Sequence, residues 1–500
     1  MNVWTAARVV GLSAALMAAV PALAQSFKPL TIATGAMPAG RLNPHDTISI
    51  TRAWLYAAVY DALTYVDRDG KLTGWLATSW DNPSPTEWVF HLRRDVYFSN
   101  GKPFSADDVV NTIAYLTGPE GNTEAVAPFA ANISKAVALD SFTVQITTQN
   151  PDPVLPQRLS LVRIAAMPDG LAYARANLVK ASLGTGPYMV KDWAANKATL
   201  VATSKPWRRA PTPVLHAISL PDAAARKNAL IAGMADIASA AFDFAELQTQ
   251  DNANLVLEED QIPAVVGLAF NTTKETPFRD IRVRQAIISA VNTRAIVDAL
   301  FAGRAALAHQ PARHEFLGYN PAVAAPAYDP DKAKCLLAEA GYRQGFRFSL
   351  ALTGGGTIWG QVFQMVASEL ARVNVIMEIE LVPEPTMSAM IYNTGVKTDA
   401  MGAIYFSPSF DGLDAVRQHT CAWPTAWFCD PDVDKLRDAA LASADVETRA
   451  NLTRKLMART QENAQALFLY ESVNLVAYNK RIKNFRADFG FLRYELMDVQ

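Results

Sequence analysis

Histidine, cysteine and clustered charge are all scarce in this chain of 500 residues. Its six histidines form no clustered site, and the chain contains no H-E-x-x-H, no G-x-S-x-G, no phosphate loop ending in G-K-[ST] and no C-x-x-C. The local signatures of zinc hydrolysis, acyl transfer, nucleotide cleavage and dithiol exchange are therefore missing, and no catalysis is expected. A site assembled from distant residues leaves no such signature; turnover of a bound peptide or sugar by the pure protein would reveal one. Glu258, Glu259 and Asp260 form an acidic run, which reads as a solvated face. The formal charge of −2 and the lack of a basic block leave no electrostatic footprint for nucleic acid.

Long apolar runs are also missing. Past the first residues the most apolar stretches, such as Ala264 to Phe270, are strand-sized, whereas a spanning helix needs roughly 20 apolar residues. The N-terminus is different. Arg8 supplies a positive charge, Val9 to Val20 are almost wholly apolar, and Ala22-Leu23-Ala24 places small residues where a signal peptidase reads. Residues 1–24 are expected to be a signal peptide cleaved after Ala24; Val9 to Ala24 is short for a membrane anchor and contains Pro21. Gln25, not a cysteine, follows the cut, so no lipoprotein anchor is expected. The expected location is the periplasm.

Only three cysteines occur. Cys421 and Cys429 flank a Trp-rich segment, and in an oxidising compartment a disulfide is the natural reading. A metal pair is the competitor, although this spacing fits no familiar zinc pattern. Cys335, far off in a helical stretch, is expected to be a buried small hydrophobe.

Strand and helix patterns alternate irregularly without repeats, which argues for α/β lobes. Period-two alternation marks Trp88 to Phe98 and Phe142 to Thr147 as half-buried strands. Between them, Ser105-Ala106-Asp107-Asp108 has the form of a capping box ahead of Val109, Ile113 and Leu116, so a helix begins near Ala106. A second helix is expected over Asp329 to Gly341, with Asp329 as cap, Pro330 in the first turn and Gly341 at the exit. The helical pattern of Val362 to Ala371 feeds a strand at Val375 to Leu381.

In order and wording, five stretches resemble family 5 of the bacterial extracellular solute-binding proteins: Asp69 to Trp80; Phe90 to Arg93 with Phe98 to Val109; Gly184-Thr185-Gly186-Pro187-Tyr188; Phe270-Asn271-Thr272 with Pro277-Phe278 and Val283-Arg284-Gln285-Ala286; and the Asp329 to Tyr342 helix. The resemblance implies a type II (cluster C) periplasmic-binding-protein fold, with two clamp lobes joined by hinge strands and an inserted extra lobe. By motif, clamp lobe I comprises 25–52, 183–268 and 472–500, the insert is 53–182, and clamp lobe III is 269–471. Crossings between lobes are expected near Gly267 to Asn271 and Leu469 to Val473. The implied function is that of an extracytoplasmic receptor of an ABC importer. It would close on a short peptide or related small organic solute and deliver it to a permease with its ATPase, acting as a monomer without a cofactor. A metal-chelate receptor and a chaperone-like member of the fold are the alternatives.

Other residues have plainer readings. Gly184, Gly186 and Pro187 read as a tight turn entering a strand, Arg282 and Arg284 as exposed or bracing a salt bridge, and Trp75 and Trp80 as core of the insert. The pocket is expected between the lobes at Tyr405, Phe406, Ser407, Phe410, Asp411, Arg417 and His419, faced by Leu42-Asn43-Pro44-His45. In peptide-binding relatives an aspartate in this loop pairs with the peptide's ammonium; here Ser407-Pro408 stands at that place. Asp411 is then expected to receive an ammonium and Arg417 a carboxylate. His45 and His419 would matter in the metal-chelate alternative.

Overall fold

The computed structural model describes residues 28–38, 41–47, 50–167, 170, 178, 180–239, 254–354 and 357–500. The leader expected at 1–24 lies outside the described residues. Among those described, no helix is long and apolar enough to cross a membrane.

Two long strands organise the fold. Leu255–Phe270 and Ala466–Asn479 run antiparallel, from Leu255 opposite Asn479 to Ala269 opposite Ala466, in the middle of a ten-stranded sheet. Beside the Asn479 end follow, in order, Ile237–Ser239, Leu30–Thr34, Val214–Ser219, Lys197–Ala202 and Tyr188–Trp193. Beside the Phe270 end follow Ala400–Phe406, Phe346–Leu352 and Val375–Leu381. The last two are parallel, joined by the crossover helix Ile358–Ala371. Each half of the sheet therefore grows from a different end of the same two strands. Between the halves the register shifts from Gln261 to Val265, opposite Glu471 to Val473. Pro263, which has no N–H to donate, stands in this break. The break falls a few residues before Gly267 to Asn271 and within Leu469 to Val473.

A separate four-stranded antiparallel sheet joins Ala77–Ser84, Glu87–Leu92, Thr143–Thr148 and Ile133–Asp140. Helix Ala106–Thr117 covers it, and the capping box forms as expected: Asp108 Oδ2 accepts from the Ser105 N–H at 3.0 Å. Strand Glu87–Leu92, expected to run on from Trp88 to Phe98, ends short of Phe98. Asp95, with φ of 59°, turns the chain there. Helix Pro330–Glu339 also matches expectation, with Asp329 accepting from the Lys332 N–H at 2.8 Å and Gly341 at φ of 91°.

Several expectations are corrected by packing. Cys335 is exposed: Ala333 and Leu337 bury one face of its helix, and Cys335, two residues from each, lies on the other. Arg282 is the exposed partner of Asp280, but Arg284 is buried and bonded to carbonyls, donating to Phe278 O at 2.6 Å and Asn463 O at 2.8 Å. Asp260 is also buried and accepts from the Gly490 N–H at 2.9 Å, and burial pushes its carboxyl up to about 7. Trp75 packs edge-on against Trp207, its indole donating to Asp61 at 2.7 Å, while Trp80 is half-buried on the same core. The Gly184 to Pro187 turn presses onto helix Ile50–Val59, where the Gly186 N–H donates to Val59 O at 2.8 Å.

Candidate functional site

The break in the central sheet opens into a cavity of about 880 Å³. Ile262 and Asn474 line it from the two long strands, Asp46 and Thr47 from the N-terminal segment, and Met401 to Ile404 with Phe406 from strand Ala400–Phe406. Helix Gly412–Val416 and the residues after it supply Asp414, Ala415, Arg417, Gln418 and His419. The far wall is Trp359, Met387, Ile391 and Tyr392, with Glu384 exposed beside them. The enclosure is mostly apolar with a smaller share of polar groups, as small-molecule sites are.

Phe406, Arg417 and His419, among the residues expected here, border this cavity. Arg417 is exposed, its guanidinium 5.8 Å from the Trp423 ring centre. His419 is buried, stacked on Tyr405 with centroids 4.2 Å apart, and burial lowers its pKa to about 3. Trp427 Nε1 donates to His419 Nδ1 at 3.2 Å. The loop carrying Trp423 and Trp427 is closed by Cys421 and Cys429, which the structure pairs, with Cα atoms 4.4 Å apart.

The other expected residues serve the frame. Asp411 is not available to a ligand ammonium. It caps helix Gly412–Val416 through the Leu413 N–H and is paired with Arg449, Nη2 at 2.5 Å and Nε at 3.0 Å, both side chains being 1% exposed. Ser407 is buried; its N–H donates to Pro263 O at 2.9 Å and its hydroxyl to Asp411 O at 2.7 Å. Phe410, at φ of 60°, packs edge-on to Phe489 at 4.4 Å and borders a smaller cleft of about 90 Å³. Tyr405 is buried and packs against Phe468 at 5.0 Å; burial drives its phenol pKa well up. Leu42 is buried at φ of 63°, its carbonyl accepting from Tyr60 at 3.0 Å. His45 is buried against Tyr115, and burial, aided by the charge on Arg163, lowers its pKa to about 3. It is the next residues, Asp46 and Thr47, that reach the cavity.

Asp414, Trp359, Met387 and Tyr392 were missed. Asp414 accepts from the Ser409 hydroxyl and feels both Arg158 and Arg417, yet burial raises its carboxyl above the usual range. Arg158 belongs to the short helix Leu155–Arg158 and pairs with Asp152 at 2.8 Å. Its charge acts on Asp414 from the segment that holds the four-stranded sheet. Of the missed residues, Asp414 alone had a signal, an acid in the first turn of a capped helix.

A cavity at the break between two half-sheets joined by paired strands defines a two-lobed solute-binding protein. The sequence profile of the bacterial extracellular solute-binding proteins, family 5 (middle region), matches residues 71–414, and the chain belongs to this family. It is 27% identical to the glutathione-binding protein GsiB of Pectobacterium atrosepticum, over 89% of each chain. With the nickel-binding periplasmic protein of Escherichia coli it shares 26% identity, over 90% of each. Among solved structures, it is similar to the periplasmic binding protein DppA from Helicobacter pylori in complex with peptide STSA. That likeness has a TM-score of 0.78 at 21% identity, covering 95% of this chain and 98% of that one. NikZ from Campylobacter jejuni in complex with Ni(L-His) gives a TM-score of 0.79 at 22% identity, covering 94% and 99%. The fold is that of the type II periplasmic binding proteins, and the family's role is extracellular solute binding.

Proposed function

We propose that this receptor captures a short peptide or related small organic solute in the 880 Å³ cavity and closes its lobes around it. It acts in the periplasm after loss of residues 1–24, without catalysis or cofactor, as a monomer that hands its solute to a permease and its ATPase. The lobes follow the halves of the sheet, with 53–182 as the insert between the first two segments of lobe I. The observation that carries the reading is the composition of the cavity wall. Thr47 lies on the N-terminal segment, Ala125 on the insert, and Phe406 and Arg417 beyond the strand crossing. A solute touching all three binds the closed form better than the open one, and only such a differential can shift the equilibrium. Native mass spectrometry of gently purified protein tests this: one bound small molecule per chain is expected. Protein that stays empty, and does not contract in solution scattering when offered peptides, would sink the proposal.

A further inference from the structure

His419 is held on several sides. Tyr405 stacks on its face with planes 20° apart, Trp427 meets it edge-on at 5.0 Å, and Gln465 donates to its carbonyl at 3.1 Å. An indole N–H can only donate. Because Trp427 Nε1 lies 3.2 Å from Nδ1, that nitrogen must be the accepting one. A neutral imidazole then carries its hydrogen on Nε2. No described residue accepts from Nε2, although His419 is 2% exposed and borders the cavity.

Two residues before it, Arg417 has no carboxylate within 4.0 Å among the described residues. The acids of the same cavity make other hydrogen bonds or lie exposed, although Asp414 still feels the Arg417 charge. Asp46 accepts from Tyr56 at 2.5 Å, Asp414 accepts from Ser409, and Glu384 is exposed on the helix Glu384–Ala389.

We infer that Trp427 fixes His419 as an Nε2–H donor to the solute, which therefore presents an oxygen acceptor, a carboxylate or amide carbonyl, beside Arg417. A metal ion would need the Nε2 lone pair, and this tautomer has none there. The assignment rests on the receptor reading for its ligand but not for its tautomer.

The test uses the full mature chain labelled with 15N-histidine. Long-range proton–nitrogen spectra at neutral pH are expected to show a protonated-type Nε2 and an unprotonated-type Nδ1 for His419. Trp427→Phe, which keeps an aromatic ring and removes the donor, is expected to produce a mixture of tautomers. An Nδ1–H ring in the wild type overturns the inference, as does a folded Trp427→Phe protein with an unchanged tautomer. Should that variant not fold, Ni²⁺ alone decides by calorimetry on wild type and His419→Gln. Equal affinity, or no binding to either, is expected; a tenfold or greater loss in His419→Gln overturns the inference. A chain that carries no solute in native mass spectrometry yet shows the Nε2–H ring would sink the receptor reading and leave the tautomer standing.

Discussion

Asp411 and Arg417 belong to one short stretch of sequence and answer opposite physical demands. Asp411 is shut away with Arg449, and a charge left alone in such a place costs far more than an exposed ion pair gains. Asp411→Ala is expected to destabilise the protein by about 3–5 kcal/mol in chemical denaturation, because it strands Arg449. Arg417 is exposed, so Arg417→Ala should move stability by no more than about 0.5 kcal/mol. If its guanidinium receives a solute carboxylate, the same change should weaken binding of the co-purified solute by about 2–5 kcal/mol in calorimetry. Unchanged affinity would show that Arg417 only decorates the cavity mouth. The residue types around 405–419 were legible in the sequence, but their roles were not. Nothing local distinguishes an acid awaiting a ligand from one awaiting Arg449, which the fold brings from another helix.

At the scale of elements the sequence was most readable where the signal is local. The Ser105 box, the Asp329 cap and the alternation of Val375 to Leu381 each became the expected element, because capping and side-chain period act within a few residues. Buried charge was illegible, since Asp260 and Arg284 are satisfied by partners distant in the chain. The Gly184 turn is local and exacting. A Cβ there would lie 1.9 Å from Val59 O, so Gly184→Ala must push the turn off its helix. A loss of about 1–3 kcal/mol, read as a lowered melting temperature, is expected. The loop closed by Cys421 and Cys429 should contribute about 2–4 kcal/mol. Alkylation of unreduced protein followed by intact-mass analysis is expected to label Cys335 alone, which is exposed. Three labels would disprove the bridge.

The whole molecule turns on the strand break, and there a buried cation spans the joint. Arg313, 1% exposed, donates to Ser472 O at 2.9 Å and Gln261 Oε1 at 2.7 Å, one on each crossing strand, and pairs with Glu315 and Glu471. His314 completes the cluster through Nδ1, 2.8 Å from Glu471, and its side chain is 58% exposed. Hydrogen bonding to Glu471 raises the His314 pKa above 6.5. Glu471, despite its burial, is held below 4.5 by His314 and Arg313. The signs then follow. A raised histidine contributes stability that is complete below 6.5 and fades as pH climbs through its folded value. A depressed carboxylate contributes stability that is complete above 4.5 and fades as pH falls through its folded value. The pair therefore supports the folded molecule most between 4.5 and 6.5. Melting temperature measured against pH should fall on the alkaline side of that window in the wild type. His314→Gln, which keeps a polar group but cannot titrate, should lose that part of the fall and weaken the acid-side fall without abolishing it, because Arg313 and the backbone N–H of residue 314 still hold Glu471. A His314→Gln curve parallel to the wild type from pH 5 to 8 would mean that the ion pair does not act at the joint.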